Sequence, residues 1–359
     1  MRATKRQGVR PCGVTRREAL CAAAAGLGGL TLLGLDPVRN TARADEIPAE
    51  YQPCVSKGLE WLSKTQSKDG HWEAFGGQYP MTMTALSGMA MLMQGSTIRE
   101  GKYKDNIHRT VDWIMARSQP NGMLGNPNIP GEAGRYMYGH GYSLLFLSCI
   151  YGEEEEEDRR KRLEDILTRA AKFTHDAQTQ RESIRFKDPN TGKALKLGGW
   201  GYVSAREGNN FDEGSVTITQ VQALRAARDA GIAVPPEAIQ EAVNYLREST
   251  NDQGFETKVQ PAGVIYSLAG GGGGEGRPAL TSAAISCGFS AGDYNSDIVK
   301  KWLLFCKNVV QPVGDVRFGQ HDEYTQYYFA QAIYKLGEDG WAKLFGSDKD
   351  ALKWSTYRA

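Results

Sequence analysis

Five times along this chain an amphipathic segment carrying an aromatic anchor gives way to a glycine-containing polar turn and then to a more apolar segment. The anchors are Trp61, Trp113, Phe173, Tyr245 and Trp302, at spacings of 52, 60, 72 and 57 residues. The phrase Leu59-Glu60-Trp61-Leu62 runs through Gln66 to Gly70-His71-Trp72, and its echoes include Gln119-Pro120-Asn121-Gly122 and Gly198-Gly199-Trp200-Gly201-Tyr202. Internal recurrence of helix–turn–helix units means that each unit buries its apolar side against its neighbours.

The second segments read Met81–Gln94, Tyr138–Tyr151, Ser215–Ala230, Ala279–Phe289 and Tyr324–Leu336. They hold small residues and few charges, the pattern of a helix buried on most sides. The first segments place apolar residues at helical spacing with charges elsewhere, as in Ile239, Val243 and Leu246. Breakers such as Pro120, Gly131, Gly231 and Pro235-Pro236 fall between them. Strand-like alternation is scarce. The expectation is an all-α domain in which inner and outer helices alternate around a ring.

The N-terminal segment stands apart from this pattern. A basic start (Arg2, Lys5, Arg6, Arg10, Arg16, Arg17) precedes an apolar run from Ala19 to Leu35 and then Ala42-Arg43-Ala44. That order is the grammar of a secretory signal, removed after residue 44. Thr15-Arg16-Arg17-Glu18-Ala19-Leu20 resembles a twin-arginine signal, so the partners expected here are the twin-arginine export machinery and signal peptidase. An uncleaved membrane anchor is the other reading of the same residues. The expected organisation is a signal peptide at 1–44 and one domain at 45–359, exported to the periplasm or cell envelope.

The 359 residues carry 43 basic and 42 acidic side chains. Without the first 44, 35 basic and 40 acidic residues remain, a formal −5. No basic excess speaks for nucleic acid as a partner. Cys54, Cys149, Cys287 and Cys306 stay in the domain, and four cysteines allow three pairings. No CxxC, His-Glu-x-x-His, EF-hand or Gly-x-Ser-x-Gly pattern occurs, so no metal, cofactor or nucleophile elbow is expected. Acids at 153–158 followed by bases at 159–162 predict a solvated helix start in which Glu155 supports Arg159 and Glu156 supports Arg160. Gly270–Gly274 reads as a loop that could rim a cavity.

The phrases with Gln66, Gly70 and Trp72, and with Gly199-Trp200-Gly201-Tyr202, resemble the degenerate repeat of the prenyltransferase and squalene-cyclase superfamily. Phe211-Asp212-Glu213-Gly214-Ser215 and Gln320-His321-Asp322-Glu323-Tyr324 resemble inner-helix starts in its exported bacterial members. The likeness covers roughly residues 50–345. It implies an α/α toroid of five to six inner/outer helix pairs, with the repeat tryptophans, Trp61 included, serving as packing residues. It also implies a hydrophobic, isoprenoid-like ligand or an envelope protein as partner, with His140, Tyr142, Trp200, His321, Tyr324 and Tyr328 as ligand-binding candidates.

Two catalytic readings follow from the same likeness. A class II terpene cyclase would use Asp212 as general acid with Glu213 beside it, although Asn210 stands where the family motif has an Asp. A helix start stabilises a carboxylate in either an acid or a plain cap. A zinc prenyltransferase needs a Cys after an Asp and a His where Thr325 stands, so its metal site is incomplete. Non-catalytic binding is the leading expectation.

Overall fold

In the computed structural model, ten helices and one small hairpin make up the described part of the chain. The described residues are 49, 51–129, 131–208, 210–251, 259–269, 274–290, 292–293, 296–310 and 322–345. All belong to one compact unit, Glu46–Ala359. The expected signal segment lies outside the described residues, as does His321.

The helices come in five pairs. The first members are α1 (Gln52–Thr65), α3 (Lys104–Met115), α5 (Glu157–Asp176), α7 (Pro236–Glu248) and α9 (Asp297–Val309). The second members are α2 (Pro80–Met93), α4 (Tyr136–Tyr151), α6 (Gly214–Asp229), α8 (Pro278–Ser290) and α10 (Asp322–Phe345), the last broken at Gly337. Each of the five anchors sits in a first member, and each predicted apolar segment overlaps a second member. The hairpin β1 (Arg181–Lys187) and β2 (Ala194–Leu197), antiparallel, interrupts the turn of the third pair, between α5 and α6, and packs against α7. Sequence periodicity did not anticipate it.

Second members pack in order, α2 on α4, α4 on α6, α6 on α8 and α8 on α10. They run parallel, because like ends meet. A Cβ on Gly139 at the start of α4 would lie 2.6 Å from Met81 at the start of α2, while Gly88 faces Phe146 farther along both helices. Burial follows these roles. In α4 nearly every residue from Tyr136 to Ile150 is buried, whereas α3 buries Ile107, Thr110, Val111, Trp113 and Ile114 and leaves Lys104, Asp105, His108 and Asp112 outside. Transfer of that apolar surface from water is the main stabilising term.

The repeat phrase explains the joints between pairs. Gln66 Nε2 donates to Gly70 O (2.9 Å) and, across to α3, to Asn106 O (3.0 Å). Gln178 Nε2 likewise donates to Gly198 O and to Ala238 O in α7, both at 2.9 Å. Gly70 adopts φ +105° and a Cβ there would sit 2.4 Å from Arg109 O, so only glycine permits the approach. The indole N–H groups of Trp72 and Trp200 donate to Leu62 O (2.8 Å) and Thr174 O (2.7 Å) near the ends of α1 and α5.

Two local expectations are corrected. Trp61 is 63% exposed, because it lies on the outward face of α1, while Trp72, Trp113, Trp200 and Trp302 are buried. The acidic run begins its helix only at Glu157, so Glu155 and Glu156 precede it. Arg159 instead pairs with Glu154 (2.7 Å) and Asp112, and Glu155 pairs with Arg99.

Candidate functional site

The parallel second helices bring their N-terminal ends together, and the loop of the following unit closes the ends of α2, α4 and α6. Met81 N–H donates to Glu132 Oε1 (2.6 Å), Met137 N–H to Tyr202 O (3.1 Å) and Gly214 N–H to Tyr266 O (3.1 Å). Tyr202 and Tyr266 are thereby fixed beside the starts of α4 and α6, and their hydroxyls touch each other. Arg135 stacks over Tyr202 (4.8 Å) and Arg277 over Tyr266 (4.5 Å).

Inside this rim lies a cluster of phenols around one carboxyl. Glu213 is the N-cap of α6, accepting from Val216 N–H (3.0 Å). The same oxygen accepts from Ser215 Oγ and from the Tyr138 hydroxyl (3.2 Å), and Tyr138 also contacts Ser215. Burial raises the Glu213 pKa, against the pull of the donors on Ser215, Val216 and Tyr138. The Tyr142 hydroxyl on α4 meets that of Tyr328 on α10 at 3.4 Å. Tyr324 and Tyr327 flank Tyr328 edge-on, with ring centres 4.7 and 4.9 Å away. Burial pushes the Tyr327 hydroxyl up to about 12 and lifts those of Tyr138, Tyr142, Tyr324 and Tyr328 as well, so all stay protonated donors.

Asp212 belongs to a different environment. Fully buried, it accepts from Arg181 Nε at Oδ2 (2.9 Å) and at Oδ1 from Tyr245 OH (3.0 Å), Ser267 Oγ (3.1 Å) and Leu268 N–H (2.8 Å). Both oxygens are committed to holding the hairpin, α7 and the 267–268 loop at the start of α6. Glu213, not Asp212, is the cap. Sequence reasoning had no signal for Arg181, since the hairpin that delivers it was not legible.

His140 is also inward. Its Nδ1 accepts from Leu124 N–H (3.0 Å), which leaves the proton on Nε2 for Thr174 Oγ1 (2.8 Å). Burial lowers its pKa to about 3. Trp72, Trp200 and Val264 donate their backbone N–H to Thr84, Thr217 and Thr281, so His140 takes the place that threonine holds in the first, third and fourth units. Trp200 is completely buried, its indole committed to Thr174. The structure therefore gathers Tyr142, Tyr324 and Tyr328 with Glu213, and separates Asp212, His140 and Trp200 from them.

Two recesses lie open among the described residues. One of about 570 Å³ is lined by Tyr266, Ser267 and Gly274–Pro278, which puts Gly274 on a cavity edge; residues 270–273 lie outside the described residues. The other, about 360 Å³, is a polar hollow on α5 formed by Lys161, Glu164, Asp165 and Thr168. Neither is lined by Tyr142, Tyr324 or Tyr328. Among the described residues no cluster of three His, Cys, Asp or Glu could hold a metal ion, and no helix is long and apolar enough to cross a membrane. Cys54, Cys149, Cys287 and Cys306 are free thiols. No protein-family model matches the chain, and no curated protein matches it.

Proposed function

We propose that this chain is an exported α/α toroid that binds a hydrophobic, isoprenoid-like ligand, or presents it to an envelope partner, at the tyrosine cluster where its inner helices begin. The ring arrangement is supported by the five outer/inner pairs and by parallel second helices that each pack on the next. Export is supported by the N-terminal sequence alone.

The observation that carries the binding reading is the convergence of Tyr138, Tyr142, Tyr324, Tyr327 and Tyr328 from two helices distant in sequence, with Tyr138 and Tyr324 half-buried and Tyr327 41% exposed. Aromatic walls with polar tips suit an amphiphile, because the rings bury apolar surface while the hydroxyls orient an oxygen. Cyclase chemistry is the weaker reading. Its acid would be Asp212, whose four donors leave it an acceptor with no proton directed toward the tyrosines.

Native mass spectrometry of protein purified gently from its source organism, followed by solvent extraction, tests the proposal. A co-purifying apolar molecule, displaced on adding farnesol, is the expected result. Protein that emerges empty and takes up no farnesol at micromolar concentrations overturns it.

A further inference from the structure

The hydroxyl of Tyr324 is sealed from solvent and has no hydrogen-bond partner among the described residues, although the ring that carries it is only half-buried. Tyr142, Tyr138, Glu213 and the Tyr328 hydroxyl surround it, Tyr328 at the edge of hydrogen-bonding range without a formed bond. A buried polar group without a partner is costly, and native structures rarely keep one. Its neighbours do not relieve it. Tyr142 and Tyr328 face each other, while Tyr138 is directed to Glu213 and Ser215. The part of a phenol that most needs a partner is its proton, so the missing element is an acceptor oxygen.

Resting on the binding reading above, we infer that the tyrosine cluster selects a ligand with a neutral, oxygen-bearing head, an alcohol or carbonyl at the end of an apolar chain, with Tyr324 donating to that oxygen. A neutral head is required because Glu213, a carboxyl near enough to act on Tyr324, is buried at 1% exposure and already the acceptor of three donors. A phosphate or carboxylate beside it would meet like charge in a poorly solvated place. Arg135 and Arg277, the cations on the rim among the described residues, are exposed and stacked on Tyr202 and Tyr266. The half-buried ring of Tyr324 next to exposed Tyr327 gives an apolar chain its approach.

The test compares farnesol, farnesene and farnesyl phosphate by calorimetric titration against the full-length protein and its Tyr324→Phe variant. The wild type should bind farnesol at least about fivefold tighter than farnesene and farnesyl phosphate, the worth of one hydrogen bond. Tyr324→Phe should erase the preference for farnesol over farnesene, leave farnesene binding unchanged, and keep or raise the melting temperature, because it deletes an unpaired hydroxyl. Equal binding of all three probes, or tightest binding of the phosphate, overturns the inference while leaving the hydrophobic site standing. Failure of all three to bind overturns the site itself. A lower melting temperature in Tyr324→Phe with farnesol affinity intact assigns the hydroxyl to an internal water and overturns the inference too. Should the variant fold poorly, the ranking of the three probes on the wild type decides alone.

Discussion

Arg181 Nε lies 2.9 Å from Asp212 Oδ2, joining the β1 strand to the start of α6 through a carboxylate that has no exposed surface. Removing one partner of such a pair leaves the other charge poorly compensated, which costs several kcal/mol when both are buried. Arg181 is 30% exposed, so solvent recovers part of that loss. Asp212→Asn should lower the unfolding free energy by about 2–3 kcal/mol in urea titration, since an amide oxygen that keeps the donors from Tyr245, Ser267 and Leu268 turns its NH2 against Arg181. A variant as stable as the wild type would return Asp212 to the list of functional acids.

The turn glycines make a sharper structural prediction. Gly122 adopts φ +91°, and a Cβ there would lie 2.2 Å from Arg169 O on the neighbouring helix. Gly134, in contrast, has nothing within 4 Å and no positive φ. Gly122→Ala is expected to cost well over about 1 kcal/mol and Gly134→Ala close to none, by thermal denaturation of the two variants side by side. Equal effects would mean that the joint between α3 and α5 yields freely.

What the sequence made legible was the part governed by short-range patterning. Helical period, glycine punctuation and the aromatic anchors located all ten helices, because each pair is an autonomous phrase read over a few turns. The same phrase misled at Trp61. At 63% exposure it faces water, whereas Trp113, Phe173, Tyr245 and Trp302 are buried at the corresponding places of the later units. Of the site, the tyrosines on α4 and α10 were visible as residues, but their meeting depends on contacts between segments 186 positions apart, as with Tyr142 and Tyr328. His140 drew attention for its chemistry and proved to stand in for a threonine. Only overlaying the units reveals that Leu124 uses it as Trp72 uses Thr84.

Thiol reactivity should divide the cysteines by burial. Cys287 and Cys306 are completely buried, and burial pushes both thiols up to about 12, whereas Cys54 is exposed on α1. The thiolate is the reactive form. Iodoacetamide followed by peptide mapping should modify Cys54 in the native protein and reach Cys287 and Cys306 only after unfolding. Rapid native labelling of either buried thiol would show that the α8–α9 contact opens readily.

His140 sets the acid limit of the fold. Its folded pKa, near 3, lies below the ordinary value of about 6.5 in an unfolded chain. Between those values the unfolded chain holds a proton that the folded one rejects, so stability is full above pH 6.5 and is lost as pH falls toward 3. The loss attributable to this ring is on the order of 5 kcal/mol at the acid end. Carboxylates also titrate in that window, so the wild type alone cannot isolate it. His140→Gln keeps an acceptor near Leu124 N–H but carries no titrating proton. It should be less stable than the wild type at pH 8, and the gap should close steadily between pH 6.5 and pH 4 in urea titrations. Parallel loss in the two proteins would mean that the imidazole finds room to protonate inside the fold, and that the joint it forms with Leu124 and Thr174 is looser than its two hydrogen bonds imply.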